Sequence, residues 1–482
     1  MRILRDRDPP LVVTVTMSAR RWIALRRASQ VAFLAVLTGL LLLSPFSSPA
    51  AQAAGFAIRL SPTLALAALI AHRALLAAFW PALLLLAASL ILGRAFCGWA
   101  CPVGTLADAV DRLAARVRRR GEDGRGRWAW MPFVVLAAVL GLAGFGVPLA
   151  GWLDPLSLYA RTLALGASPL VEGGGIGEAA APWAVLAVMA VLLGLSFLRP
   201  RFFCRYLCPT GALLSLPARL APLRWRVDGT CSACASCRTD CRTGAIRGDE
   251  GATSMSRCVL CLSCLRSCGS RSVGFARAGA AGEGEAPGTF RRDRRAFLAG
   301  AGAGVLGGAA LLQTGPRPSP LPRIRPPGAG GEARFQDLCL RCGACVQACP
   351  TQGLAPLPLS AGVEALWTPV LVSRKGHCRW DCHRCAEVCP SGAIAPLDAE
   401  ARRRVVIGIA AIDPARCLPW ASTTPCAVCT SVCPVQPRAI ELSGERPRRP
   451  RVLADRCVGC GLCEKVCPVP GPAAIGIREV RS

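Results

Sequence analysis

Histidine is scarce in this sequence, with three in 482 residues. The apolar N-terminal half holds one of them, His72. A haem b buried in a helical bundle commonly takes two axial ligands from the protein, so one His argues against it. His72 reads instead as an interfacial residue. No Ser–His–Asp arrangement, P-loop or dinucleotide fingerprint is present, which leaves metal ligation rather than acid–base catalysis as the chemistry to look for. Acids are also few: 29 Asp and Glu stand against 57 Lys and Arg, a net charge of +28. Such an excess first suggests nucleic acid. Here the Arg runs lie beside long apolar stretches, where a positive-inside bias predicts them, and no nucleic-acid partner is expected.

Cysteine is what the sequence has in excess, with 28. Four fall in two CxxxCP pairs and twenty-four in six quartets, with none left over. A disulfide framework belongs to small secreted chains without this spacing. Zinc can use CxxC pairs, but the repeated order CxxCxxCxxxC is the iron–sulfur pattern. In that pattern three closely spaced thiols wrap one cluster and the fourth crosses to its partner.

A chain of this length suggests three or four units. Residues 1–220 read as a membrane domain. Ala28 to Phe46 is about long enough to cross as a helix; Ser48 to Ala53 would allow signal cleavage, and a retained span is the preferred reading. Residues 61–93 are apolar except for His72 and Arg73 and read as an interfacial segment followed by a helix from Ala74 to Gly93. Trp128 to Ala150 and Ala181 to Phe197 supply two more crossings. The Arg-rich loop 111–127 and the acidic segment 151–180 orient the four, with the N-terminus and the segment after Arg199 cytoplasmic. The near-copies Phe96-Cys97-Gly98-Trp99-Ala100-Cys101-Pro102 and Phe203-Cys204-Arg205-Tyr206-Leu207-Cys208-Pro209 then mark an internal repeat at the cytoplasmic face. Cysteines four apart share a helical face, and the Pro would disrupt the helix that follows. Cys97, Cys101, Cys204 and Cys208 are candidate additional iron ligands for an extra iron–sulfur centre; the alternative is a structural turn whose thiols bind nothing.

Residues 225–280 form a first double-cluster module. Ligand crossing assigns Cys231, Cys234, Cys237 and Cys268 to one Fe₄S₄ cluster and Cys258, Cys261, Cys264 and Cys241 to the other. Residues 291–314 divide the chain: Asp293-Arg294-Arg295-Ala296-Phe297-Leu298 resembles a twin-arginine export signal, here internal, followed by a marginal fifth apolar span. A flexible Gly/Ala linker is the alternative. After a semi-extended linker at 315–331, residues 332–482 hold four quartets: Cys339, Cys342, Cys345, Cys349; Cys378, Cys382, Cys385, Cys389; Cys417, Cys426, Cys429, Cys433; and Cys457, Cys460, Cys463, Cys467. The middle two carry loop insertions, and Leu418-Pro419-Trp420 reads either as an exposed contact or as local packing. Adjacent quartets exchange their fourth ligands, or the four nest; both give four Fe₄S₄ clusters, in different order. The expected fold class is an α-helical polytopic membrane bundle plus α+β bacterial-ferredoxin-like modules, each holding two clusters, up to six [4Fe-4S] in all.

On these residues the N-terminal 270 or so resemble the NapH family, membrane proteins of periplasmic nitrate reductase systems. The stretch from about 291 onward resembles NapG and the related MauM proteins, so the chain looks like a fusion of both. The membrane part is also similar to NosR and CcoG, without the flavin-bearing domain of the first or the C-terminal all-β domain of the second. The absence of Pro after Cys241 and Cys268 is the main departure from the pattern. The resemblance implies a bacterial inner-membrane electron-transfer protein, a quinol dehydrogenase component. Bound quinol would be its substrate, and its partners would be membrane lipid, the quinol pool, the twin-arginine export machinery and a periplasmic reductase, cytochrome or dehydrogenase system. The first module would be cytoplasmic and the C-terminal domain periplasmic. A maturation factor that reduces metal centres and a zinc-stabilised membrane scaffold are the alternatives. Electrons visiting the cytoplasmic clusters would have to recross a hydrocarbon layer roughly 30 Å thick.

Overall fold

The computed structural model describes residues 19–72, 77–117, 128–145, 149–167, 180–227, 234–247, 252–269, 273–277, 295, 297–307, 309, 323–362, 365–379, 381–444 and 447–479. Two compact units divide the chain. The first comprises Met1–Gly39, Ala57–Thr162 and Pro182–Leu311; the second comprises Leu40–Phe56, Leu163–Ala181 and Leu312–Ser482.

The first unit joins apolar helices to a small α+β module. Helix α1 (Ala19–Leu43) is the one described helix whose length and hydropathy suit a crossing. Its 25 residues rise about 37 Å, enough for a hydrocarbon core of about 30 Å. Helices α2 (Ser48–Arg59) and α3 (Pro62–His72) pass the same test only as a pair, and they are bent by 82° at the break. Helix α4 (Trp80–Leu92) is followed by α5 (Ala95–Trp99) and α6 (Pro102–Val117). Next come α7 (Met131–Ala143), α8 (Ala150–Leu153), α9 (Pro155–Arg161) and α10 (Ala180–Gly194).

The expectation of four full crossings is therefore corrected. Helices α4 and α7 have 13 residues each, about 20 Å, which falls short of the core. Hydropathy runs on through the punctuation that bounds them: Pro81 stands in the first turn of α4 and Gly93 at φ +61° closes it, while Pro132 stands in the first turn of α7 and Gly144 caps its end. The expected separation of the 151–180 segment from the second CxxxCP stretch is corrected as well. Thr210, two residues past Cys208, donates to Asp154 Oδ1 at 2.8 Å and lies 2.9 Å from Thr63 Oγ1. Ser61 also donates to Asp154, which caps α9 through the Ser157 N–H. The turns at Ser61 and Asp154 thus dip to the CxxxCP region instead of standing a bilayer away.

After α11 (Pro209–Ser215) the module begins. Strand β1 (Leu223–Val227) pairs antiparallel with β4 (Val273–Arg277), Leu223 opposite Arg277, and closes the module end to end. Inside lie the hairpin β2 (Ile246–Arg247) and β3 (Ala252–Thr253) and the helical turns α12 (Ser236–Thr239) and α13 (Ser263–Ser267). Ile23 of α1 is buried with Ile246, Leu262 and Val273, so the helix supplies core that so small a module lacks.

The dividing segment ends as helix α14 (Phe297–Gly307); residues 291–294 and 296 of the twin-arginine pattern, and 310–322 beyond, lie outside the described residues. Helix α14 packs on α7 backbone to backbone. A Cβ at Gly300 would stand 2.6 Å from Val134 O, and one at Gly304 2.6 Å from Ala138 O. This is small-xxx-small packing, which lets two apolar helices approach closely. Residues 297–307 are therefore a docked helix rather than a flexible linker.

The second unit holds two further double modules. Strand β5 (Leu354–Pro356) pairs with β6 (Pro369–Leu371) in one. In the other, β7 (Ile409–Ile412) pairs with β10 (Ile475–Arg478) around the hairpin β8 (Ile440–Ser443) and β9 (Arg449–Val452). That arrangement repeats the outer pair and inner hairpin of β1–β4. Arg374 locks the two halves together, donating to Glu464 O at 3.0 Å and Cys467 O at 2.9 Å. Residues 40–56 belong here too. Ser48 donates to Glu387, Arg384 Nη1 reaches Ser44 O at 3.5 Å, and Gly55 abuts the Val388 carbonyl. The candidate cleavage stretch is thus the start of α2, packed against the turn Arg384–Glu387.

Candidate metal centres

Three of the quartets are shaped by backbone that turns left-handed between the thiols. Leu260 and Leu262 in Cys258–Cys264, Arg341 and Gly343 in Cys339–Cys345, and Gly459 and Gly461 in Cys457–Cys463 all have positive φ. Two such residues per loop curl the chain around a point, and only in the last quartet are both Gly, the residue that bears this conformation without strain.

In the second unit three cavities are each ringed by four thiols. One is lined by Cys339, Cys342, Cys345 and Cys389. A second has Cys349 with Cys378, Cys382 and Cys385, and a third Cys467 with Cys417, Cys426 and Cys429. Cys433 lies with Cys457 and Cys460, close enough to raise the Cys460 thiol. The structure thus brings adjacent quartets together rather than nesting them. It also sets the four thiol groups in sequence. Cys385 feels Cys389, Cys378 feels Cys460, and Cys463 feels Cys429; the Cys378 N–H donates to Cys460 O at 2.8 Å. The inserted Trp420 packs locally, its Nε1 on Pro450 O at 3.2 Å and the Arg449 guanidinium over its ring, while it stays 39% exposed.

In the first unit Cys241 joins Cys258 and Cys261, and the Ala245 N–H donates to Cys241 Sγ at 3.2 Å. Cys237, Cys264 and Cys268 pack against the same small core, Cys234 is exposed, and Cys231 lies outside the described residues.

The two CxxxCP stretches share one construction. Cys97 sits in α5, and Cys101 caps α6 by accepting the Gly104 N–H at 3.4 Å. Cys204 sits in a five-residue π-turn, Phe203–Leu207, and Cys208 caps α11 by accepting the Gly211 N–H at 3.3 Å. Pro102 and Pro209 are the first residues of those helices, where a missing N–H costs nothing. The prolines therefore start helices, contrary to the disruption expected. All four thiols come together, since Cys97 and Cys204 both act on Cys101 and on Cys208.

Burial, reinforced by neighbouring thiols, pushes these groups up: Cys204 to about 11, and Cys258 and Cys378 to about 12. Thiols so placed stay protonated unless a cation compensates them. Among the described residues no three His, Cys, Asp or Glu side chains converge as a single ion requires. Thiols around a cavity and backbone N–H groups aimed at sulfur fit Fe₄S₄ cubanes.

Spacing alone missed a buried charge cluster beside the CxxxCP thiols. Asp108 Oδ1 accepts from Arg201 Nε at 2.8 Å and Arg242 Nη1 at 3.1 Å. Its Oδ2 accepts from Arg26 and from Gln30 Nε2 at 3.0 Å. Burial alone would raise this carboxyl, yet Arg201 and Arg26 hold it well below the usual carboxylate range. A signal was present in the repeat, which reads Arg-x-Phe-Cys-x₃-Cys-Pro-x-Gly in both copies. The two arginines are exchanged between copies. Arg201 of the second reaches Gly104 O of the first at 3.4 Å, and a Cβ on Gly211 of the second would meet Arg94 of the first at 2.4 Å.

Residues 74–121 and 181–228, one for each CxxxCP copy, match a family described as a 4Fe-4S binding domain. Residues 424–470 match a 4Fe-4S dicluster domain and residues 334–354 another 4Fe-4S binding domain. The chain is 39% identical over 160 residues to the ferredoxin-type protein NapG of Escherichia coli (strain K12), covering 31% of this chain and 68% of that one. It is 39% identical over 197 residues to the methylamine utilization ferredoxin-type protein MauM of Paracoccus denitrificans (strain Pd 1222), covering 39% and 86%. Protein NirI of the same organism is 33% identical over 178 residues, covering 35% of this chain and 24% of the relative. No solved structure matches.

Proposed function

The chain belongs to the NapG and MauM family of ferredoxin-type proteins, and from that premise we propose that it is a membrane-bound iron–sulfur wire carrying electrons from quinol to a periplasmic redox partner. The observation that carries this reading is the succession of sulfur-ringed cavities in the second unit. Each would take one electron at a time, which suits a two-electron quinol delivering its electrons singly. The ligand sets would be Cys339/Cys342/Cys345/Cys389, Cys349/Cys378/Cys382/Cys385, Cys433/Cys457/Cys460/Cys463 and Cys417/Cys426/Cys429/Cys467, in that spatial order. In the first unit they would be Cys241/Cys258/Cys261/Cys264 and Cys231/Cys234/Cys237/Cys268, with a further centre on Cys97, Cys101, Cys204 and Cys208. The clusters supply one-electron redox chemistry; the protein supplies ligation, spacing and the charge that sets potential.

The NapH-like reading of the first 270 residues, an inner-membrane location and a periplasmic C-terminal unit belong to the same proposal. Helix α1 and the docked helix α14 support membrane attachment.

The test mixes the anaerobically purified full chain in lipid nanodiscs with reduced quinol and follows cluster absorbance. Bleaching that depends on quinol, and reverses on adding a periplasmic cytochrome, supports the proposal. Clusters that dithionite reduces and quinol does not would refute the quinol assignment.

A further inference from the structure

The CxxxCP stretch and the ferredoxin-type loop of the first unit meet without side chains between them. A Cβ on Gly98 would stand 2.0 Å from Val259 O, closer than atoms can approach. Trp99 Nε1 donates to Leu260 O at 3.1 Å. Cys97 and Val259 share one buried core with Leu214, with Cys261 packed against it. Two peptide segments that each carry thiols of a different quartet are therefore in van der Waals contact.

Positive charge is built into the same joint. Arg26 Nε donates to Gly98 O at 2.9 Å and its Nη1 to Cys261 O at 3.4 Å, so one guanidinium spans both loops. Arg201 Nη1 donates to Cys97 O at 3.3 Å, and Arg201 feels both Cys204 and Cys261. Arg94 Nη1 donates to Ser256 O at 3.3 Å. Three guanidiniums face two buried carboxylates, Asp108, which pairs with Arg26 and Arg201, and Asp111, which accepts the Arg201 backbone N–H at 3.1 Å; positive charge stays in excess between two thiol quartets.

We propose that Cys97, Cys101, Cys204 and Cys208 on one side and Cys241, Cys258, Cys261 and Cys264 on the other would hold two centres forming one redox pair across the Gly98–Val259 contact, where one electron would pass between them, one centre being oxidised as the other is reduced. Arg26, Arg94 and Arg201 are positioning residues. Their charge offsets the negative charge that each centre gains on reduction and so favours the reduced state of both. No proton moves in the step. This inference rests on the reading that both quartets hold clusters.

The experiment uses the full chain in nanodiscs, reduced stepwise with dithionite, and reads iron and sulfide content, midpoint potentials and electron paramagnetic resonance line shape. In the wild type the two reduced centres show magnetic interaction, as split or fast-relaxing signals. Gly98→Val pushes the loops apart: metal content stays at the wild-type level while the interaction is lost. Arg26→Gln keeps the contact and shifts both potentials downward; this second variant also covers the case that Gly98→Val does not fold. Interaction absent in the wild type at full metal content, or unchanged in Gly98→Val, overturns the pairing. Potentials unmoved in Arg26→Gln overturn the positioning role. Failure of the underlying reading looks different: replacing all four CxxxCP cysteines by Ser would leave iron content unchanged.

Discussion

Replacing Asp108 with Asn tests the buried charge cluster most sharply. The carboxylate pairs with Arg26 and Arg201, whose side chains are 6% and 0% exposed, while Arg242 is 23% exposed and partly solvated; the neighbouring buried Asp111 accepts the Arg201 backbone N–H at 3.1 Å. Asn keeps the shape and removes the charge, so Arg26 loses its carboxylate partner in low dielectric and Arg201 is left with the neighbouring Asp111 alone. Breaking a buried pair in this way costs about 3–5 kcal/mol. The two pairs share one carboxylate, so their costs do not add, and about 4 kcal/mol is expected. For a unit of this size that corresponds to a fall in Tm of roughly 8–16 °C, read by thermal unfolding of the detergent-solubilised chain in near-ultraviolet circular dichroism. Because Asp108 is held well below the usual carboxylate range, its stabilisation is complete above its unfolded value of about 3.9. It is lost only as pH falls toward the lower folded value. The deficit of Asp108→Asn should therefore be constant from pH 5 to 8. The double variant Asp108→Leu with Arg201→Met should recover part of the loss. A Tm within about 2 °C of wild type would refute the account.

Other predictions concern packing and pairing. Gly304→Leu should displace α14 from α7, because a Cβ there already stands 2.6 Å from Ala138 O; limited proteolysis should then cut near residue 300 at least tenfold faster, and wild-type rates would contradict the docking. An N-terminal tag should remain on the membrane-inserted protein, since residues 48–56 form part of the second unit; mass spectrometry finding cleavage near Ala53 would contradict this. Cys389→Ser and Cys349→Ser should perturb different clusters, the first the one on Cys339, Cys342 and Cys345 and the second the one on Cys378, Cys382 and Cys385. Identical changes in their resonance spectra would favour nesting.

The cysteine modules were legible because their chemistry is local. Three thiols within seven residues must curl around one centre, and the ligand crossing follows from that. Which quartets exchange ligands was not legible, because it depends on how Arg374 and the 459–471 segment lock two modules together. Helix lengths in the apolar half were misread for a definite reason. Mean hydropathy does not register Pro81, Gly93, Pro132 or Gly144, which cut long apolar runs into helices of 13 residues. The Gly300 and Gly304 stripe was visible, and its partner on α7 was not. The exchanged arginines could have been found by extending the repeat three residues back from each first Cys, to Arg94 and Arg201.

The most direct test of the central claim is iron, acid-labile sulfide and zinc analysis of the anaerobically purified full chain. Six quartets filled with cubanes predict about 24 iron and 24 sulfide per chain, and a filled CxxxCP centre raises each to about 28. Several equivalents of zinc with negligible iron and sulfide would contradict the reading of this protein as an iron–sulfur wire.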